Sequence, residues 1–256
     1  MKKYAAPFVC ITAAFVSLFS SSSRAETALP DTITLGATAW CPYTCDEQRP
    51  GITTEYLRLL LGSMGVGLQV KMLPWSRAIS EAESGELDGL LTLVKEESDQ
   101  LLMTSVPTMS YQSCFYVSST SSWHYSGPDS LAQIHLGAVM DYGYGEEVDS
   151  YLHSNKENEQ MVTLISGNDT AERLAMMLLG GRIDAYIADR NVSLWLRKSG
   201  LYTRKETEAG CLDVKNFYLG INPQRGWAKA LIQRLDQELD KPENKTRLEQ
   251  IKALYR

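Results

Sequence analysis

The sequence predicts an α/β fold of two similar lobes, and three observations predict it. The first is a half-pattern that occurs twice. Ile33-Thr34-Leu35-Gly36-Ala37 opens a segment that closes on Gly85-Glu86-Leu87-Asp88-Gly89-Leu90-Leu91; Ile134-His135-Leu136-Gly137-Ala138 opens one that closes on Gly181-Arg182-Ile183-Asp184-Ala185-Tyr186-Ile187. The second is order: in both segments strand-like runs alternate with helices that stop at glycine, as parallel strands with crossover helices require. The third is the apolar run Leu90-Leu91-Thr92-Leu93-Val94 within Leu87–Val94, interrupted by one threonine, expected of a parallel strand covered on both faces. Two lobes of one design imply a cleft, and a cleft implies a ligand.

In order along the chain, 32–37 alternates and is rich in β-branched residues, as a strand should be. The stretch 40–51 carries Pro42, Pro50 and Gly51 and reads as a loop. Thr53 or Thr54 is positioned to cap a helix with Tyr56, Leu57, Leu60 and Leu61 on its apolar face, ending near 62–65. A strand at 68–73 follows. Pro74 then opens a helix, where its missing N–H costs nothing, and Gly85 ends it. The second segment repeats the plan: an entry strand at 114–118, a polar loop at 119–126, a short turn from Asp129 or Ser130 and a strand at 134–140. A helix at 146–153, a strand at 161–165, a helix at 171–179 capped from 168–170, a strand at 183–188 and a helix at 192–198 complete it. Residues 108–113 and about 212–216 connect the lobes. The tail, a strand at 217–222, a helix at 227–239 and a short helix from Glu243, returns to the first lobe and makes it discontinuous.

Residues 1–25 read as a signal peptide: Lys2 and Lys3, an apolar stretch from Phe8 to Phe19, and Ser23-Arg24-Ala25 as the cleavage site. The apolar stretch is short for a membrane span of about 20 residues. Export and a cut after Ala25 are expected, with no membrane insertion. The chain has 25 basic and 31 acidic side chains, and losing Lys2, Lys3 and Arg24 makes it more acidic. That argues against nucleic acid or an anionic membrane as partner. Past the cut four cysteines remain: Cys41, Cys45, Cys114 and Cys211. In an oxidising compartment an even count suggests two disulfides. Four cysteines allow three pairings; Cys41 and Cys45 are near enough to close a small loop, which leaves Cys114 with Cys211. A redox dithiol would have two residues between its cysteines rather than three. His124, His135 and His153 have no ligand-like spacing, so no metal is expected.

Trp40-Cys41-Pro42-Tyr43, Pro50-Gly51-Ile52, Pro74-Trp75-Ser76-Arg77-Ala78, Gly85–Gly89, Gly143-Tyr144-Gly145 and Gly181–Asp189, in that order, resemble the extracellular solute-binding proteins of family 3. These are the polar amino-acid-binding type that serves ABC importers. The resemblance implies a periplasmic-binding-protein-like fold (type II) with two hinge strands, one lobe at 26–112 and 216–256 and the other at 113–215. It also implies closure on a small ligand. Trp40 matches the aromatic that walls the site and Trp75 the one that stacks on the ligand. Gly143, Tyr144 and Gly145 match the turn whose N–H groups hold the ligand, and Asp189 matches the acid that takes its ammonium group. The family's carboxylate-binding arginine, due a few residues after 90–94, is missing. Lys95 is the nearest cation there, and Arg77 is a second candidate. Asp141 stands where some relatives have a basic residue, and with Asp189 it favours a ligand with more positive than negative charge.

Each residue has a plainer reading. Trp40 and Trp75 are equally suited to a core, although an indole face is worth about 0.5–2 kcal/mol against a cation. The 142–145 turn opens a helix whose free N–H groups suit an anionic or carbonyl oxygen, or it is an ordinary loop. Asp189 ends an apolar strand, where a carboxylate faces the crevice of an open sheet; it also suits a helix cap before Val192. Asp88 and Asp184 recur in both lobes and are read as structural. Tyr43 and Tyr144 are further candidate liners. The expected function is a periplasmic binder of a small polar, amine-bearing solute with an ABC permease as partner, acting as a monomer without a cofactor. One alternative is a receptor for a membrane sensor. The other is a dehydratase-like enzyme using Glu146 or Glu147, which no Ser/His/Asp or Cys/His arrangement supports.

Overall fold

The structure is a computed structural model that describes Met1 and residues 28–45, 49–95, 97–140, 142–167, 169–198 and 206–255. The signal-peptide segment therefore lies, Met1 apart, outside the described residues, as do Glu96, Asp141 and Asn168. One sheet contains β1 (Thr32–Ala37), β2 (Gly67–Met72), β3 (Gly89–Leu93), β4 (Leu102–Met103), β5 (Met109–Tyr111) and β11 (Lys215–Ile221). The other contains β6 (Ser113–Ser118), β7 (Leu136–Val139), β8 (Val162–Ile165), β9 (Ala185–Asp189) and β10 (Glu206–Cys211). Helices α1 (Ile52–Ser63), α2 (Trp75–Ser84), α6 (Ala228–Asp240) and α7 (Pro242–Tyr255) belong with the first sheet. Helices α3 (Glu146–Asn155), α4 (Thr170–Leu179) and α5 (Arg190–Lys198), with a 3-10 turn at Pro128–Gln133, belong with the second. This is a two-lobed α/β architecture. Among the described residues no helix is long and apolar enough to cross a membrane.

The repeat is realised strand for strand. The first sheet runs β2-β1-β3-β11-β4 and the second β8-β7-β9-β6-β10. In each, the first three strands are parallel and the fourth antiparallel to the third. The two acidic corners do the same work. Asp88 Oδ2 accepts the Thr34 N–H at 2.7 Å, and Asp184 Oδ2 accepts the His135 N–H at 2.9 Å. Each carboxylate thus ties the start of one strand to its parallel neighbour, β3 to β1 and β9 to the residue before β7. The paired glycines are explained by close approach: a Cβ on Gly36 would lie 2.8 Å from Leu87 Cδ1, and one on Gly137 2.6 Å from Ile183 Cδ1.

Gly89–Leu93 is mostly apolar because both faces of β3 are covered. Leu91 packs with α1 and α6 through Leu57, Leu60 and Leu231, while Leu90 and Leu93 pack with α2 through Ala78 and Ala82. The second sheet is covered likewise, by Val148 and Leu152 of α3 on one side and Leu174 and Leu178 of α4 on the other. Two strand pairs carry the chain between the sheets. β5 pairs with the first half of β11 (Tyr111 opposite Lys215), Gln112 follows, and β6 then pairs with β10, with Cys114 opposite Cys211. Disulfides join Cys114 to Cys211 and Cys41 to Cys45. A third core of Tyr43, Met109, Tyr111, Val192, Phe217 and Tyr255 packs residues of both sheets' surroundings around this crossing.

Three local expectations differ from the structure. The cap of α1 is Gly51 rather than Thr53 or Thr54, and both threonines are buried. No side-chain cap is needed, because Ile52 and Thr53 donate their N–H groups to the carbonyls of Pro42 and Tyr43. β10 has no counterpart in the sequence reading: its Thr, Glu and Gly residues lack a strand's apolar alternation, and it is held by pairing with β6. Helix α7 is 14 residues long rather than short.

Candidate functional site

The loop after β1 is fixed at both ends. The Cys41–Cys45 disulfide closes it, Trp40 and Thr44 exchange backbone bonds at 2.7 and 3.1 Å, and Pro42 and Tyr43 dock on the N-terminus of α1. That holds the half-buried Trp40 against hinge rings, with Phe217 at 5.4 Å and Tyr111 at 5.9 Å. Its ring also meets Tyr142, which precedes α3 in the other lobe, at 6.0 Å. Trp75, at the start of α2, is half-buried among Ala78 and Leu87, and its Nε1–H donates to Glu97 Oε1 at 2.9 Å. Arg77 is exposed on α2. Lys95 is exposed just beyond β3, with Nζ 5.1 Å from the centroid of Tyr218.

Asp189 ends β9 and is buried. Its Oδ1 accepts the Val192 N–H at 2.9 Å, the helix-cap geometry for α5, and the Tyr43 hydroxyl at 2.9 Å; Oδ2 accepts the Gln112 N–H at 3.1 Å. Asn191 Nδ2 in turn donates to the Tyr43 hydroxyl at 2.8 Å. The carboxylate therefore caps a helix of one lobe, steadies the hinge and bonds across to the loop of the other lobe. Burial raises its pKa to about 6, against the lowering effect of the Val192 N–H, the Tyr43 hydroxyl and the Gln112 N–H. Burial is also the main reason that the Tyr43 hydroxyl is pushed well above its ordinary value, with Asp189's charge adding to it. Tyr43 entered the sequence reading as a liner only; its role as the interlobe donor depends on a tertiary contact.

The turn before α3 uses its own amides. Tyr144 and Gly145 donate their N–H groups to Asp149 Oδ1 and Oδ2, both at 2.9 Å. An acid in the first turn of a helix is drawn to the positive helix end, and Glu146-Glu147-Val148-Asp149 contained that signal. Tyr144 is buried and its hydroxyl accepts the Val139 N–H at 2.9 Å. Gly143 is exposed, and its carbonyl lies 3.5 Å from Lys215 Nζ. Lys215 opens β11 and was not singled out from the sequence. With Lys95 it lines a small cavity of about 180 Å³, completed by Val94, Asn216 and Tyr218. Lys95 and Lys215 thus come together. The structure separately brings together Trp40, Tyr43 and Asp189, and Trp75 keeps company with Glu97 instead. A larger open groove of about 710 Å³ runs along α3 and β8. Among the described residues, Cys114, Glu208 and Cys211 form a cluster of metal-ligand type, but its two sulfurs are bonded to each other.

No protein-family model and no curated protein matches this sequence. Solved structures do resemble it. The GluR0 ligand-binding core in complex with L-glutamate superposes with a TM-score of 0.69 at 14% identity, covering 90% of this chain and 99% of that one. A histidine kinase sensor domain with similarity to periplasmic binding proteins gives 0.66 at 18%, covering 88% and 95%. Substrate binding domain 2 of GlnP from Lactococcus lactis, in an open conformation, gives 0.61 at 19%, covering 90% and 97%. At these identities the shared property is the two-lobed, periplasmic-binding-protein-like fold.

Proposed function

We propose that this chain is an exported solute-binding protein that closes on a small polar, amine-bearing, amino-acid-like ligand and presents it to an ABC importer. The observation that carries the reading is Asp189, a buried carboxylate beside the strands that connect the lobes, whose hydrogen-bond donors among the described residues are all neutral. The next residue in the chain, Arg190, has its guanidinium committed to Glu208 at 2.6 and 2.9 Å. A charge with only neutral donors in a low-dielectric site favours an incoming cation. Among the described residues Tyr43 is the donor to Asp189 from the loop of the opposite lobe, so parting the lobes removes it and leaves an acceptor for a ligand ammonium. Trp40, in contact with Tyr43 and facing Tyr142, supplies the aromatic wall. The likeness to a substrate-binding domain, GlnP, supports the transport assignment. The likeness to a histidine kinase sensor domain favours a second reading, delivery of the same signal to a membrane sensor; a permease encoded beside this chain would decide for transport.

A thermal-shift screen of amino acids, polyamines, quaternary amines and short peptides should identify the ligand, because saturation at about 100 times Kd adds about 2.7 kcal/mol. Asp189→Asn keeps a helix cap but removes the charge. Calorimetry should then show affinity for the identified ligand falling roughly ten-fold or more. Undiminished affinity in that variant rules out Asp189 as the ammonium acceptor.

A further inference from the structure

We propose that Tyr255 of α7 is a positioning residue for the interlobe bond between Tyr43 and Asp189, and that with Trp195 of α5 it sets how readily the lobes part for a solute. This rests on the solute-binding reading above and concerns the regulation of that same site.

Tyr255 is buried at the end of α7 and reaches into both lobes. On the side of the first lobe its hydroxyl accepts the Gly51 N–H at 3.0 Å and donates to Glu55 Oε1 at 2.7 Å. Gly51 caps α1, and the next two amides, Ile52 and Thr53, donate to the carbonyls of Pro42 and Tyr43 at 2.7 and 3.0 Å. The Tyr255 hydroxyl thus fixes the helix start on which Tyr43 is mounted. On the side of the second lobe the Tyr255 ring lies 5.8 Å from the ring of Trp195. Trp195 belongs to α5, the helix that Asp189 caps through the Val192 N–H. This circuit crosses between the lobes at two points, Tyr43 to Asp189 and Tyr255 to Trp195. Arg49 holds the end of α7 in place: its Nη1 donates to the Leu254 carbonyl at 2.8 Å, and its guanidinium lies 5.8 Å from the centroid of the Tyr255 ring.

Tyr43 and the ammonium group of a solute compete for Asp189. Whatever steadies Tyr43 there lowers the fraction of chains ready for the solute, and the apparent affinity falls by that fraction. Only the hydroxyl of Tyr255 reaches Gly51 and Glu55, so removing that one oxygen leaves the ring against Trp195 and loosens the mount of Tyr43. Binding should then tighten, whereas a purely structural residue would change stability and leave affinity alone. Among the described residues, Tyr43, Tyr116 of β6, Tyr142 and Arg190 feel the Asp189 charge. Of these tyrosines only Tyr43 shares the core that contains Tyr255. A changed Asp189 titration in a Tyr255 variant therefore reports on Tyr43.

The first test follows the Asp189 carboxyl by carbon-13 NMR in the chain without ligand. Y43F, which removes the donor outright, should move its titration upward from about 6 by about one pH unit. Y255F should move it in the same direction, and the two together no further than Y43F alone. The second test is titration calorimetry with the twenty amino acids and putrescine as probes. For each probe that binds the wild-type chain, Y255F should tighten binding by roughly three- to ten-fold, and it should add nothing in a Y43F background. W195L breaks the contact from the other lobe and should also tighten binding, which keeps the test open if Y255F fails to fold. Leu254→Ala, at the exposed neighbour, should change neither readout. An Asp189 titration unmoved in Y255F, or affinity unchanged or weaker in Y255F and W195L, overturns the positioning role while the solute-binding reading stands. If no probe binds the wild-type chain, that reading fails, and the Asp189 titration alone decides the role of Tyr255.

Discussion

At Asp189, burial and hydrogen bonding pull in opposite directions, and burial wins. The carboxyl titrates at about 6 in the fold against about 4 in an unfolded chain. Between those values the folded state keeps a proton that the unfolded chain has released, so stability falls as pH rises from about 4 to about 6, by at most roughly 2–3 kcal/mol. Urea denaturation across that interval should show wild type losing stability relative to Asp189→Asn; parallel profiles would place the carboxyl at its ordinary value. The cost of keeping a charged group here is consistent with a residue retained for binding. The cap to Val192 alone would be served by a neutral Asn.

At the scale of elements, the strand-helix-strand unit is built the same way twice, and in both copies a glycine in the first strand marks a close approach. A Cβ at Gly137 would meet Ile183 Cδ1 at 2.6 Å and Leu174 Cδ2 at 2.8 Å, and both side chains are buried. Gly137→Ala should therefore destabilise by about 1–3 kcal/mol through overpacking, read from the urea midpoint. Ile183→Val in the same chain should recover part of the loss by removing the clashing methyl. The start of α3 teaches a different point. Its amides looked open to a ligand because a turn of two glycines precedes the helix, yet a first-turn acid three residues in claims them.

Over the whole molecule, two strand connections, one disulfide and a shared aromatic core determine how the lobes can move. The Cys114–Cys211 bond spans 97 residues of chain and so closes almost all of the second lobe into a loop. Replacing both cysteines by alanine should cost roughly 2–5 kcal/mol, seen as a lower urea midpoint under oxidising conditions that leave Cys41–Cys45 closed. The core around Tyr43, Phe217 and Tyr255 lies beside Asp189 at the hinge, and the bond from Tyr43 to Asp189 crosses from one lobe to the other.

What was legible in the sequence is what local chemistry and periodicity encode. The doubled strand-helix order, the buried run at β3, the glycine stops and the corner acids Asp88 and Asp184 all depend on residues near one another in the chain or on a repeated pattern. The meeting of Lys95 with Lys215, the bond from Tyr43 to Asp189 and the placement of β10 depend on segments separated by scores to more than a hundred residues. Such contacts are fixed by how the sheets close around the hinge, and no spacing along the chain reports them. The sequence by itself determined two lobes of one design. Only the tertiary structure decided which polar groups are committed to the protein's own donors and acceptors, because that is settled by packing between distant segments.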